Sequence, residues 1–93
     1  MLHIIKSQQG LQSAISLSQE NDAFLLVEDA VYLAVQAQMD IFTANDLQDR
    51  CWVLGEDVEA RGVGLSPHWQ AQCIDFVGFV GLTEQHVQSM TWL

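Results

Sequence analysis

Ninety-three residues, 49% hydrophobic and 16% charged, make one domain (residues 1–93) with a single core of moderate size. Twelve acids against Lys6, Arg50 and Arg61 leave a net charge of −9. Such a surface repels phosphate backbones and anionic lipid, so direct contact with nucleic acid or membrane is excluded as the expected role.

Cys51 and Cys73, with no CxxC pair, form neither a disulfide framework nor a zinc pattern, so reduced thiols in the cytoplasm are expected. The opening apolar run is too short for a signal sequence. No run approaches the roughly 18 apolar residues of a membrane span. A low charged fraction leaves little to keep a small monomer apart from its neighbours. Part of the surface is therefore expected to be covered by partner subunits.

Met1–Lys6, apolar and β-branched at Ile4 and Ile5, reads as a buried first strand. A turn is expected over Ser7–Gly10. Leu11, Ala14, Ile15, Leu17 and Ser18 then recur at helical spacing, with the helix ending near Glu20–Asp22. Ala23–Val27 is a continuous apolar run bounded by charge, as in a parallel strand buried on both faces. A second helix is expected from about Asp29, whose carboxylate would serve the free N–H groups of the first turn. This β-α-β-α alternation indicates an α/β chain with a parallel sheet and crossover helices.

Residues 36–45 lack a clear period, and Thr43 is a candidate cap for a helical turn through Gln48. Cys51–Leu54 reads as the third strand and Glu56–Arg61 as a short helix stopped by Gly62. A loop follows to Pro67. Gln72–Asp75 supplies a short fourth strand, and Phe76–Leu82 a helix apolar over much of its surface. Gly78 and Gly81 each cost that helix about 1 kcal/mol relative to alanine, which suggests close approach of another backbone. Val87–Leu93 alternates as a terminal strand.

The carboxyl ends of parallel strands are where ligands and reactive groups gather, which directs attention to residues 51–62. Glu56 and Asp57 could pair for acid–base work or complement a helix dipole. Successive helical residues diverge by about 100°, which favours the second use. Cys51 and Cys73 are the only thiols, but the surrounding charge is mostly acidic and opposes a thiolate. Trp52, Trp69, Trp92, Phe76 and Phe79 are core candidates, with Trp92 also a candidate for a subunit contact. His3, His68 and His86 share no metal-ligand spacing, and no phosphate-binding glycine motif or Ser-His-Asp signature is present, so no metal or cofactor is expected.

Several pieces together resemble the TusB/DsrH family within the wider DsrE/DsrF/DsrH-like group. They are Leu25-Leu26-Val27-Glu28-Asp29-Ala30-Val31-Tyr32, Val53-Leu54-Gly55-Glu56-Asp57-Val58-Glu59-Ala60-Arg61-Gly62, Ile74-Asp75-Phe76-Val77-Gly78-Phe79-Val80-Gly81-Leu82-Thr83 and Ser89-Met90-Thr91-Trp92. The resemblance covers nearly the whole chain and implies a three-layer α/β/α sandwich on a mainly parallel five-stranded sheet. It also implies a subunit that joins TusC/DsrF-like and TusD/DsrE-like subunits in a heterohexamer. Such complexes relay persulfide sulfur towards 2-thiolation of a tRNA wobble uridine, or serve dissimilatory sulfur oxidation.

In the sulfur-carrying paralogue the persulfide cysteine ends the third strand. The matching position here is Leu54, or at most Gly55, and neither carries sulfur. The resemblance therefore implies a non-catalytic subunit, with Glu56, Asp57, Arg61, Phe79 and Trp92 as candidate interface residues. A stand-alone sulfurtransferase using Cys51 or Cys73 is the alternative. Isolated from its partners, the chain is expected to form homo-oligomers.

Overall fold

The computed structural model describes residues 1–93. Its five strands are β1 (Leu2–Ile5), β2 (Ala23–Leu26), β3 (Cys51–Leu54), β4 (Cys73–Ile74) and β5 (Ser89–Trp92). They form one parallel sheet in the order β4-β3-β2-β1-β5. The helices are α1 (Gln8–Leu17), α2 (Met39–Ala44), α3 (Gly55–Arg61), α4 (Pro67–Ala71) and α5 (Phe76–Gln85). Two 3₁₀ segments, Glu28–Leu33 and Gln36–Gln38, precede α2.

The chain steps from β1 to β4 in one direction and then returns across the sheet to place β5 beside β1. Right-handed crossovers then put the earlier helices on one face and α5 alone on the other. Strand alternation divides the core accordingly. Ile5, Phe24, Leu26 and Val53 point to the first face and pack with Leu11 of α1, Phe42 of α2 and Trp69 of α4. Leu2, Leu25 and Leu54 point to the second face, where Leu82 and Phe79 of α5 cover them. Each fully buried large apolar side chain contributes roughly 1.5–3 kcal/mol. The first face, with the larger cluster, therefore carries most of the stability.

Several local expectations shift. Ser7 is the N-cap of α1, its Oγ accepting from Gly10 N–H at 3.0 Å, so Gly10 is helical rather than part of a turn. α1 ends at Leu17, short of Glu20. Asp29 does not cap a helix; it lies in the first turn of a 3₁₀ segment whose N-cap is Val27. Glu28 has φ 50, a left-handed conformation costly for a residue with a Cβ. Its N–H donates to Asp57 Oδ2 at 2.7 Å, which anchors that bend. Thr43 lies inside α2, and turns follow at 45–46 and 48–50 rather than a helical turn through Gln48. A further helix, α4, follows the loop; Pro67 opens it, where a missing N–H costs nothing. The two glycines of α5 differ. A Cβ on Gly78 would lie 2.8 Å from Ile74 Cβ, so close packing requires glycine there, whereas nothing lies within 4 Å of one on Gly81.

Candidate functional site

At the end of β3 there is no loop. Leu54 is the last strand residue and the N-cap of α3, and its side chain is only 9% exposed in the second-face core. The strand-end position therefore presents no reactive atom. Gly55 follows because space is lacking: a Cβ there would lie 3.2 Å from Cys73 Sγ and 3.4 Å from the Ile74 carbonyl of β4. Beside it opens a cavity of about 680 Å³ lined by Gly55, Glu56, Val58, Glu59, Cys73, Ile74, Asp75 and Gly78.

The carboxylates here have structural partners. Glu56 Oε2 accepts from Phe76 N–H at 3.0 Å, and Asp75 Oδ1 accepts from Gly78 N–H at 2.9 Å. Both are free donors of the first turn of α5, which attract negative charge. The end of α5 that could receive an anion is thus already filled by this chain's own acids. Asp57 points elsewhere, to the end of β2, where it receives Glu28 N–H. Arg61 bridges Asp29 at 3.1 Å and Asp57 at 3.7 Å. Adjacent in sequence, Glu56 and Asp57 serve opposite sides of α3 and do not converge on one atom.

The thiols are separated by the sheet register. Cys51 is fully buried on the first face, and burial pushes its thiol pKa up strongly, with only Arg50 opposing. Cys73 is half-buried and lines the cavity. Its thiol is also raised, first by burial and then by Glu56 and Glu59. A thiolate is the form that attacks sulfur or binds metal, and both sites disfavour it. No group of three or more His, Cys, Asp or Glu side chains is placed to hold a metal ion.

Among the candidate interface residues, Phe79 is half-buried over the second-face core and touches the edge of Phe76, ring centroids 5.9 Å apart. Trp92 is half-buried against the first-face core, and its Nε1 donates to His3 Nδ1. Sequence reasoning missed Glu59, Asp75 and Gly78 as companions of Cys73. Asp75 carried the one readable signal, an N-cap residue directly before an apolar helix; the rest depends on how β4 pairs with β3.

This arrangement can be set beside known proteins. A family model described as DsrH like protein matches residues 6–89. The chain is also 30% identical, over 95 aligned positions, to Protein TusB of Salmonella dublin, Salmonella enteritidis and Salmonella typhimurium. Each alignment covers 99% of this chain and 100% of the relative. With a family match over most of its length and relatives matched end to end, the chain belongs to the DsrH-like protein family.

Proposed function

We propose that this protein is a non-catalytic subunit of a sulfur-relay assembly of the TusBCD/DsrEFH type. In that role it supports transfer of persulfide sulfur towards 2-thiouridine at the tRNA wobble position. Its partners are TusC/DsrF-like and TusD/DsrE-like subunits in a cytoplasmic complex. The observation that carries the reading is Leu54. At the strand end where a sulfur carrier needs a thiol, this chain has a buried aliphatic side chain. The acids that follow cap α5 and fix the β2 turn, which is the work of a scaffold. The relatives named TusB favour the tRNA branch over the sulfur-oxidation branch.

The test is co-expression with the two homologous subunits, followed by sizing of the product. A stable hetero-oligomer containing all three chains is expected. Failure of this chain to co-purify with either subunit would overturn the reading.

A second reading, a stand-alone thiol sulfurtransferase, is favoured only by Cys73, which lines an open cavity. Incubating the isolated protein with a persulfide donor decides it. Gain of one sulfur atom on Cys73 or Cys51 supports that reading, and an unchanged intact mass removes it.

A further inference from the structure

We infer that the outer face of α5, together with the acidic cavity at its N-terminal end, is a docking surface for a different protein chain that presents an apolar patch flanked by Lys or Arg. This rests on the reading above that the chain works within an assembly, and it names the surface and the chemistry of its partner.

Phe76, Val77 and Val80 are 60%, 76% and 41% exposed and lie along one side of α5. Phe79 supports Phe76 from beneath. An apolar stripe of this kind on a helix that already buries Leu82 marks an interaction site. The cavity opens at the N-terminal end of the same helix, where Asp75 and Gly78 line it.

Charge selects the partner. Glu56, Glu59 and Asp75 line the cavity and Glu84 lies in the last turn of α5, and no ion pair engages any of them. Every cation of this chain is committed elsewhere. Lys6 pairs with Glu28 at 3.1 Å, and Arg61 with Asp29 and Asp57. Arg50 donates to the Asp46, Gln19 and Asp22 carbonyls. A second copy would therefore bring acids against acids with no free cation to offset them. A basic-rimmed partner instead places a Lys or Arg head in the cavity and its apolar surface on the stripe.

The test compares wild type, Val77→Lys and, as a control on α1, Leu17→Lys, each co-expressed with the two homologous subunits. Val77 and Leu17 are 76% and 68% exposed, so both variants fold, which thermal melts verify. Wild type and Leu17→Lys are expected to co-purify, with Val77→Lys lost or weakened roughly thirtyfold or more. Amides of residues 76–84 are expected to exchange more slowly in the wild-type complex than in the free chain, and added salt to weaken the complex.

If Val77→Lys binds as tightly as wild type and α5 exchange is unchanged, the surface is wrong while the assembly reading stands. If wild type itself fails to co-purify, both fall. If wild type alone dimerises and Val77→Lys restores a monomer, the occupant is a second copy and the proposed partner is overturned.

Discussion

Trp92 Nε1 donates to His3 Nδ1 at 3.0 Å, joining the last strand to the first through two ring nitrogens. An indole N–H only donates, so Nδ1 must be unprotonated. Nε2 then holds the ring proton and donates it to Asp22 Oδ2 at 2.8 Å. His3 is also stacked on Phe24, with ring centroids 4.8 Å apart. The buried imidazole is therefore fixed in one tautomer by an indole on one side and a carboxylate on the other.

Trp92→Phe keeps the aromatic bulk and removes that donor, leaving His3 Nδ1 buried without a partner. The expected cost is about 1–2 kcal/mol, read from the urea midpoint. Nitrogen NMR of the wild-type ring should show the Nε2–H form. A midpoint shift near zero would show that water replaces the indole there.

Asp22 makes stability depend on pH. Burial raises its pKa, but hydrogen bonds from His3 and the Gln19 N–H, with the Met1 amino group 3.0 Å away, outweigh it and hold the carboxyl at about 2. A depressed native pKa gives stabilisation that is complete above the unfolded value of 3.8 and is lost as pH falls towards 2. Asp22→Asn should therefore cost on the order of 1–2 kcal/mol at neutral pH. The gap to wild type should close through that acid window in denaturant titrations.

The glycines of α5 should respond in opposite directions. Gly78→Ala sets a Cβ against Ile74 on the neighbouring strand and should destabilise by about 1–3 kcal/mol. Gly81→Ala meets open space in the isolated chain and should stabilise by about 1 kcal/mol through helix propensity. Thermal melts of both variants check the pair.

The thiols should alkylate in a fixed order. Cys73 reacts slowly at neutral pH and faster as pH rises, whereas Cys51 reacts only when the protein unfolds. Glu59→Gln removes one of the charges that raise the Cys73 pKa and should accelerate its alkylation without affecting Cys51. Intact-mass kinetics with iodoacetamide measure both. Faster modification of Cys51 than of Cys73 in the folded protein would contradict the burial described above.

All five strands were legible because each is a short apolar or alternating run between turn residues, and the α/β alternation followed from them. Helix boundaries were less so. Ser7 and Asp75 cap helices by a local rule, but Asp29 satisfies the same rule and pairs with Arg61 instead. Local preference alone does not reveal which competing partner lies nearby. At the site, the divergence of Glu56 and Asp57 was readable because helical geometry is local. The approach of Cys73 to Gly55 was not, because it depends on register between strands whose connection includes α3 and α4. Phe76, Phe79 and Trp92 stood out by residue type, but Phe76 is exposed rather than in the core, and its exposure, like that of Val77, depends on which side of α5 faces the sheet.

The placement of β5 beside β1 affects how the protein is made. β1 pairs with β2 on one edge and with β5 on the other. During synthesis the first strand can meet β2 early, but its other edge stays open until β5 is translated. At about 5–20 residues per second that wait is on the order of ten seconds. An unpaired, apolar strand edge is a template for pairing with other chains. Nascent copies on crowded ribosomes would thus be at their most vulnerable until β5 emerges, and truncation ahead of Ser89 would leave the exposed edge of β1 uncovered.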